Sequence, residues 1–156
     1  MIDLQWRTIE PSEGHEAGRA LLAQMYKAHR GAELPNVVLE ERGKPRFAED
    51  PLQFSISHTK GHVFCVLSDK PVGIDAEEMS RNIDLRLAEK ILSPAEKKRY
   101  LACEDQHAAL LKLWVLKEAA AKCSGEGLRG YPNQTDFSPE DPRIQEIAGC
   151  YVAVVE

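Results

Sequence analysis

The sequence contains no Cys-x-x-Cys pair, and its four cysteines are widely spaced. Neither a zinc ribbon nor a redox motif is therefore predicted. Cys65 and Cys150 lie in apolar, strand-like runs, so we expect them to be buried free thiols. His58 and His62 are four residues apart, but they span a glycine turn and no third nitrogen or sulfur ligand is evident. A zinc site is not predicted either.

The sequence also lacks a surplus of positive charge and any long apolar run. Its 156 residues carry a formal net charge of −5, which argues against a globally basic nucleic-acid-binding protein. The start, MIDLQWRTIE, has no basic-then-apolar signal pattern, and no run is long enough to span a membrane. We therefore expect a cytoplasmic protein with neither nucleic acid nor membrane as a partner.

Local patterns predict strands and helices that do not alternate strictly, which is typical of an α+β fold. The predicted strands are IDLQWRTI, NVVLEER, FSISH, HVFCVLS, PVGIDAEE and GCYVAVVE, with PVGIDAEE as the third strand of a meander. Turns are predicted at RGKP, and a loop at RGYPNQTDFSPEDP. A boundary near Lys70-Pro71 would divide the chain into halves 1–70 and 71–156. With 43% apolar residues, the chain can form one compact globular unit or two small halves that share a core.

Helix signals are clearest at the ends of the predicted helices. Ser12 is placed to cap a first helix that runs to about His29 and ends at Gly31. Further helical periodicity appears in IDLRLAEKIL and after SPAE. The longest predicted helix is DQHAALLKLWVLKEAAAKCSG, which closes at Gly125 or Gly127.

Acidic residues stand at the end of the apolar strand PVGIDAEE. Residues two apart in a strand point to the same side, so Asp75 and Glu77 project together, and Gly73 leaves room beside them for a close approach of backbone or of a ligand. Neighbouring carboxylates raise each other's pKa, a penalty that a divalent cation removes. Oxygen ligands without a cysteine or histidine cluster favour Mg²⁺. The alternative is that these acids only keep a strand end soluble.

The helical segment LWVLKEAAAK, residues 113–122, supplies a second group. Trp114, Glu118 and Lys122 share one stripe of that helix. Glu118 can add a third oxygen ligand to Asp75 and Glu77, while Lys122 can contact a phosphate. The alternative is an exposed Glu118–Lys122 pair worth about 0.3–0.5 kcal/mol.

Phosphate-binding residue types occur in two more stretches. GKPRF supplies Lys44 and Arg46, and SISHTKGH supplies Ser57 and His58. Each is individually compatible with an ordinary solvated side chain. Glu96 follows Ser93 by three residues, and this capping-box spacing explains it completely as a helix-start residue. A functional role for Glu96 requires it to face the same site as the strand acids.

In this order, the motifs GKP, SISHT, VGIDAE, SPAE and WVLKEAAAK resemble the single-chain, surfactin-type group of 4′-phosphopantetheinyl transferases. The related trimeric holo-acyl-carrier-protein synthases carry GID near the N-terminus, so the order here is unlike theirs. The resemblance implies an α+β pseudo-dimer of two small halves with the site in the cleft between them. This chain has fewer residues before GKP than is common in that group.

The resemblance also implies an activity. The 4′-phosphopantetheine arm of coenzyme A would move, with Mg²⁺, to a serine of an apo acyl carrier or peptidyl carrier protein of fatty acid, polyketide or nonribosomal peptide synthesis. By motif position, Asp75, Glu77 and Glu118 resemble the Mg²⁺ ligands. Lys122 resembles the lysine at the transferring phosphoryl group, and Glu96 resembles the proposed general base.

Coenzyme A contacts are implied for Lys44, Ser57 and His58, and more loosely for Arg19 and Lys27 in the first predicted helix. A locally basic surface would suit an acidic carrier protein. Such a cluster follows the acids: Arg81, Arg86, Lys90, Lys97, Lys98 and Arg99. A solvated helix surface explains this cluster equally well. Two other functions stay open: a truncated, non-catalytic relative that holds coenzyme A or a carrier protein, and a Mg²⁺-dependent phosphohydrolase.

Overall fold

The computed structural model describes residues 1–126 and 134–156, which form an α+β fold with four α-helices and three small sheets. The strands are β1 (Ile2–Thr8), β2 (Val37–Leu39), β3 (Pro45–Phe47), β4 (Gln53–His58), β5 (His62–Ser68), β6 (Gly73–Glu78), β7 (Ile144–Ile147) and β8 (Cys150–Val155). The helices are α1 (Gly14–Arg30), α2 (Ala88–Ile91), α3 (Pro94–Leu101) and α4 (Gln106–Ser124), with a 3₁₀ turn at Leu85–Leu87. The predicted mixture of helices and strands is confirmed.

Two three-stranded antiparallel sheets form the middle of the molecule, and each is covered by one long helix. Their strand orders are β1-β5-β4 and β6-β8-β7. Phe64 and Val66 of the first sheet pack against Ile74 and Val152 of the second in one buried cluster. Helix α1 buries its apolar side on the first sheet, and α4 buries its own on the second. The order of layers is therefore helix, sheet, sheet, helix.

Strand β6 belongs to the second sheet, so its prediction as the third strand of a meander was wrong. It pairs with β8 and not with β5. Strand β6 also lies beside β4, but serine side chains of β4 make the hydrogen bonds between these two strands. Ser55 Oγ accepts a hydrogen bond from the N–H of Ile74, and Ser57 Oγ accepts one from the N–H of Ala76, both at 3.1 Å. Apolar alternation predicts a strand but does not say which neighbour it will pair with.

Helix α4 lies directly on β6 because Gly73 has no side chain. A Cβ added at Gly73 would lie 2.0 Å from the carbonyl oxygen of Ala119 and 2.4 Å from the backbone nitrogen of Cys123. Both contacts are with helix backbone, which cannot rotate away. The prediction that Gly73 permits a close approach is thus confirmed. The approach carries Glu118 and Lys122 to the side of β6 that bears Asp75 and Glu77.

Several helix ends agree with the sequence prediction, and one does not. Gly31 and Gly125 end α1 and α4 in the left-handed conformation, with φ values of 66° and 74°. Gly127, the other candidate for the end of α4, lies outside the described residues. The predicted cap at Ser12 was wrong, because Glu13 occupies the N-cap without a side-chain hydrogen bond. Ser12 lies in the preceding turn.

Two short strands were missed by the sequence analysis. Strand β3 begins at the end of the predicted RGKP turn and pairs with β2. Strand β7 pairs with β8 across the turn Ala148-Gly149, where φ is 52° and 76°. Runs of three or four residues are too short to show a period. Of the predicted loop at 129–142, residues 129–133 lie outside the described part.

The burial of two of the cysteines agrees with the sequence prediction. All four cysteines are free, and Cys65 and Cys150 are buried, as predicted. In residues 1–126 and 134–156, none of the helices combines the length and apolar character that crossing a bilayer requires.

The contact at Gly73 yields a stability prediction. We expect Gly73→Ala to lower the free energy of unfolding by about 3 kcal/mol or more, because overpacking against backbone forces α4 away from β6. Gly61→Ala is the matched control, since a Cβ there meets its nearest atom, Glu78 Oε1, at 3.6 Å. Urea unfolding of both variants measures the difference. Equal stabilities for the two variants would contradict the close packing.

Candidate active site

Asp75 is a buried carboxylate with an incomplete set of partners. Its Oδ1 accepts hydrogen bonds from Ser57 Oγ and Lys122 Nζ, both at 3.3 Å. Its Oδ2 is buried and has no hydrogen-bond partner among the described residues. Burial raises the pKa of Asp75 to about 7; Lys122 opposes this shift, whereas Glu118 and Glu77 add to it. An orphaned buried oxygen costs free energy, and a bound cation would remove that cost.

Lys122 fixes a positive charge where the two sheets meet. Its Nζ donates to the carbonyl oxygens of Ile56 on β4, at 3.2 Å, and Ile74 on β6, at 2.9 Å. It also donates to Asp75. Three acceptors from three directions hold the ammonium in one place, so it is not the mobile lysine of an exposed surface pair.

Glu118 and Glu77 are the other members of the predicted acid group, but the three carboxylates do not form a compact set of metal ligands. Burial raises the pKa of Glu118; Lys122 and Arg81 oppose the shift, and Glu77 adds to it. The carboxylate of Glu77 pairs with Arg81. Within the described part of the chain, the one group of three His, Cys, Asp or Glu whose ligand atoms lie within 4.8 Å of one another includes neither Asp75 nor Glu118. The metal-ligand roles stay a prediction.

A cavity of about 300 Å³ lies against this group. Its walls are residues 42–45, residues 54–56 of β4 and the C-terminal turns of α4. Arg42, Lys44 and Lys122 line it together with one acid, Glu118. Lys44 Nζ also donates to the carbonyl oxygen of Cys123, at the end of α4. The surplus of cations suits an anionic ligand that carries phosphates.

The other predicted coenzyme A contacts lie away from this cavity. Ser57 is buried, and its hydroxyl serves Asp75 and the backbone of β6. The exposed His58 has its ring over Gly14, where an added Cβ would lie 2.4 Å from Nδ1. Arg19 and Lys27 are exposed on α1 and are absent from the described lining of the cavity. Contacts of these four residues with coenzyme A stay predictions.

Glu96 forms the predicted capping box and accepts three further hydrogen bonds. Its Oε1 accepts from the N–H of Ser93 at 2.9 Å, and its own N–H donates to Ser93 Oγ at 3.2 Å. Its carboxylate also accepts from Lys117 Nζ at 2.6 Å, Thr135 Oγ1 at 2.7 Å and the N–H of Phe137 at 2.9 Å. Burial alone would raise the pKa of Glu96, but these hydrogen bonds outweigh it and lower the pKa.

The hydrogen bonds of Glu96 indicate a structural role for this residue. Four donors fill the acceptor positions of a carboxylate that is 0% exposed. They tie the start of α3 to α4 and to residues 135–137. A general base needs an acceptor position within reach of the substrate proton, so this arrangement does not support the base role predicted for Glu96.

Two contributors were missed by the sequence analysis. Arg42 stands just before GKP, and nothing local shows that its loop meets α4. Lys117 directly precedes Glu118 in the helical motif, but its side chain is fully buried on the other side with Glu96. The sequence alone does not show that Lys117 and Glu118 face opposite sides, because this depends on how the helix is oriented and on what packs around it.

The environment of Asp75 predicts a pH dependence. In the presence of a chelator, we expect the free energy of unfolding to fall as the pH rises from about 4 to about 7. The pKa of Asp75 is about 7 in the folded protein and about 4 in an unfolded chain. Between these values the folded state keeps a proton that the unfolded state has lost, so stability declines with pH. Urea unfolding across this range measures the slope.

Asp75→Asn should flatten this decline, and the raised pKa of Glu118 should leave a smaller residual slope. Glu16→Gln, an exposed acid on α1, should leave the decline as it is. A wild-type slope in Asp75→Asn would refute the assignment.

The Glu96–Lys117 pair yields a second stability prediction. Glu96→Gln should cost about 3–5 kcal/mol of unfolding free energy, because it removes a negative charge that lies 2.6 Å from a buried ammonium. Adding Lys117→Met should restore part of that loss. Glu89→Gln, which breaks the surface pair with Lys97, should cost less than about 1 kcal/mol. Chemical denaturation compares the four proteins, and a Glu96→Gln variant as stable as Glu89→Gln would contradict a structural role.

The similarity of this chain to known proteins covers the acidic residues of this candidate site. The model of the 4′-phosphopantetheinyl transferase superfamily matches residues 71–150. The 4′-phosphopantetheinyl transferase HetI of Nostoc sp. is 34% identical over 146 residues, which are 86% of this chain and 62% of that protein. The 4′-phosphopantetheinyl transferase psf-1 of Bacillus pumilus is 34% identical over 72% of this chain and 52% of its own length.

A further relative is the 4′-phosphopantetheinyl transferase AcpT of Escherichia coli O157:H7, which is 37% identical over 70% of this chain and 56% of its own length. The chain thus spans about half to three-fifths of the curated relatives that it matches. The matched region begins at the strand that carries Asp75 and includes helix α4. The chain therefore belongs to the 4′-phosphopantetheinyl transferase superfamily.

Proposed function

We propose that this chain transfers the 4′-phosphopantetheine arm of coenzyme A to a serine of an apo acyl carrier or peptidyl carrier protein. The observation that carries the proposal is Asp75: a buried carboxylate with one oxygen unpartnered among the described residues, next to a fixed ammonium. Lys122 connects this carboxylate to the cationic cavity. Membership of the superfamily, and relatives named for this transferase, support the same conclusion.

In this proposal Asp75, Glu77 and Glu118 hold Mg²⁺. The donor set fits a hard cation, since all three are carboxylates and none is sulfur or imidazole. Burial raises the pKa of both Asp75 and Glu118, which is the penalty that a cation would relieve. Glu77 would exchange its contact with Arg81 for the ion. When bound, Mg²⁺ neutralises charge on the diphosphate of coenzyme A.

The phosphates of coenzyme A would lie among Arg42, Lys44 and Lys122. The serine oxygen of the carrier forms a bond to the β-phosphorus and releases its proton to water, while the bond from that phosphorus to the bridging oxygen breaks and adenosine 3′,5′-bisphosphate leaves. Phosphoryl transfer depends mainly on positioning and on neutralising charge. A lysine held by three acceptors suits this task. A cavity of about 300 Å³ would enclose only part of coenzyme A.

We further propose that residues 1–70 and 71–156 are the two halves of a pseudo-dimer with the site between them. Each range supplies one three-stranded antiparallel sheet and one long helix. Lys122 donates to Ile56 from the first range and Ile74 from the second. The site therefore depends on both ranges.

Carrier docking on the basic cluster after β6 has weaker support. Four of its six members pair with carboxylates of this chain: Arg81, Arg86, Lys97 and Arg99. Their charges are partly neutralised within the protein, so an acidic carrier meets less positive potential than the sequence suggests.

One assay tests the function. The protein, coenzyme A, Mg²⁺ and an apo carrier protein are incubated, and the carrier is weighed by mass spectrometry. We expect a gain of one phosphopantetheine. Asp75→Ala, Glu118→Ala and Lys122→Ala should each lower the rate at least about 100-fold, because each removes charge stabilisation at the transferring phosphate. Glu16→Ala, on the exposed side of α1, is the control and should keep the wild-type rate.

The alternatives give different results in the same assay. Tight binding of coenzyme A without a mass gain would identify a non-catalytic binding protein. Release of phosphate or phosphopantetheine without a carrier would identify a phosphohydrolase. A fully active Asp75→Ala or Glu118→Ala variant would refute the metal-ligand assignment.

A further inference from the structure

A second group of metal-binding side chain types lies on the opposite face of β6 from Asp75. His62, Glu78 and Cys150 each offer one ligand atom, and these atoms lie within 4.8 Å of one another. His62 Nδ1 lies 3.3 Å from Glu78 Oε1. Cys150 Sγ lies 3.7 Å from His62 Nδ1 and 3.6 Å from Glu78 Oε2. Residues 127–133 contain no His, Cys, Asp or Glu.

The fold brings these three residues together from distant points. His62 begins β5, Glu78 ends β6, and Cys150 begins β8. Glu78 and Cys150 stand opposite each other in antiparallel register. The tight turn Ala148-Gly149 places Cys150 at that position. Because His62 belongs to the first sheet and the other two to the second, the group joins the sheets.

We propose that His62, Glu78 and Cys150 bind one Zn²⁺ ion. Zinc bonds nitrogen and oxygen at about 2.0–2.1 Å and sulfur at about 2.3 Å, so tetrahedral ligands stand about 3.3 Å apart for nitrogen and oxygen and about 3.6 Å apart when one is sulfur. The 3.7 Å between Cys150 Sγ and His62 Nδ1 agrees with the edge expected when one ligand is sulfur. The 3.3 Å from His62 Nδ1 and the 3.6 Å from Cys150 Sγ end on the two different oxygens of Glu78, so the carboxylate presents an oxygen at bonding distance to each of the other two ligand positions. Water takes the fourth position.

The neighbours of this group are those that a zinc site uses to orient its ligands. Thr59 Oγ1 donates to Glu78 Oε1 at 2.6 Å and accepts from the N–H of His62 at 3.1 Å. The ring of Trp6 packs on that of His62, with centroids 5.9 Å apart. Such outer contacts fix the ligand directions. Glu78 also lines an open cleft, together with Thr59 and Glu77, so this one ligand can be reached from solvent.

This site is separate from the proposed magnesium site in place and in chemistry. Successive side chains of a strand point to opposite faces, so Glu78 points away from Asp75 and Glu77. Thiolate and imidazole are poor ligands for Mg²⁺ and good ones for Zn²⁺. A zinc ion here would connect β5 to β6 and β8, and so would hold the two sheets together.

Cobalt binding tests the proposal on the whole chain. The protein is treated with a chelator, desalted under a thiol-free reductant and titrated with Co²⁺. We expect one equivalent to give the visible absorption of tetrahedral cobalt and a thiolate-to-metal charge-transfer band. Zn²⁺ should displace it. Cys150→Ser should remove the charge-transfer band and weaken binding at least about tenfold. Cys103→Ser, the matched control in a half-buried position, should change neither.

A second measurement covers a variant that folds poorly. Zn²⁺ at about a hundredfold excess over its Kd should raise the Tm of the wild-type protein by at least about 5 °C. The rise should be absent from His62→Gln and Glu78→Gln and retained by Asp75→Ala. The proposal is overturned by a missing charge-transfer band, by a band that survives Cys150→Ser, or by a wild-type Tm that Zn²⁺ does not move. None of these readouts depends on transfer activity, so the two proposals fail separately.

Discussion

The ammonium of Lys122 is the contact on which the arrangement of the site depends. Its three acceptors are a carbonyl of β4, a carbonyl of β6 and the carboxylate of Asp75. The two carbonyls belong to different sheets, so one side chain satisfies backbone groups that no common ladder pairs. This is possible only because α4 lies against β6 at Gly73. The absence of a side chain at Gly73 therefore determines where the charge of Lys122 lies in the site.

Helix α4 takes part in two ionic groups that have opposite electrostatic conditions. The Lys117–Glu96 pair is fully enclosed, and hydrogen bonds keep the pKa of Glu96 low. Asp75, which meets α4 through Lys122, has an unpartnered oxygen among the described residues and a raised pKa. The first arrangement stabilises the fold, and the second costs stability. Burial of charge alone therefore does not mark a functional residue, and a buried oxygen without a partner among the described residues is the better ground for proposing one.

Local signals in the sequence predicted what local physics determines. The spacing of Asp75 and Glu77, the glycine beside them and the SPAE capping box are all features of a single element, and they appear in the structure as expected. The sequence could not show that β6 opens a second sheet, because pairing depends on the whole chain. It also could not show the group of His62, Glu78 and Cys150, whose members are separated by up to 88 residues. Distances across the fold arise only when the sheets pack.

The serine contacts between β4 and β6 have a mechanical consequence. Backbone ladders resist sliding because each amide must keep its carbonyl at a fixed register. Here Ser55 and Ser57 supply rotatable hydroxyls to the amides of Ile74 and Ala76. A hydroxyl can follow its amide through a small shear, so the seam tolerates changes of angle that a continuous sheet would not. A small shear between the sheets would therefore strain two hydroxyl contacts and leave both backbone ladders paired.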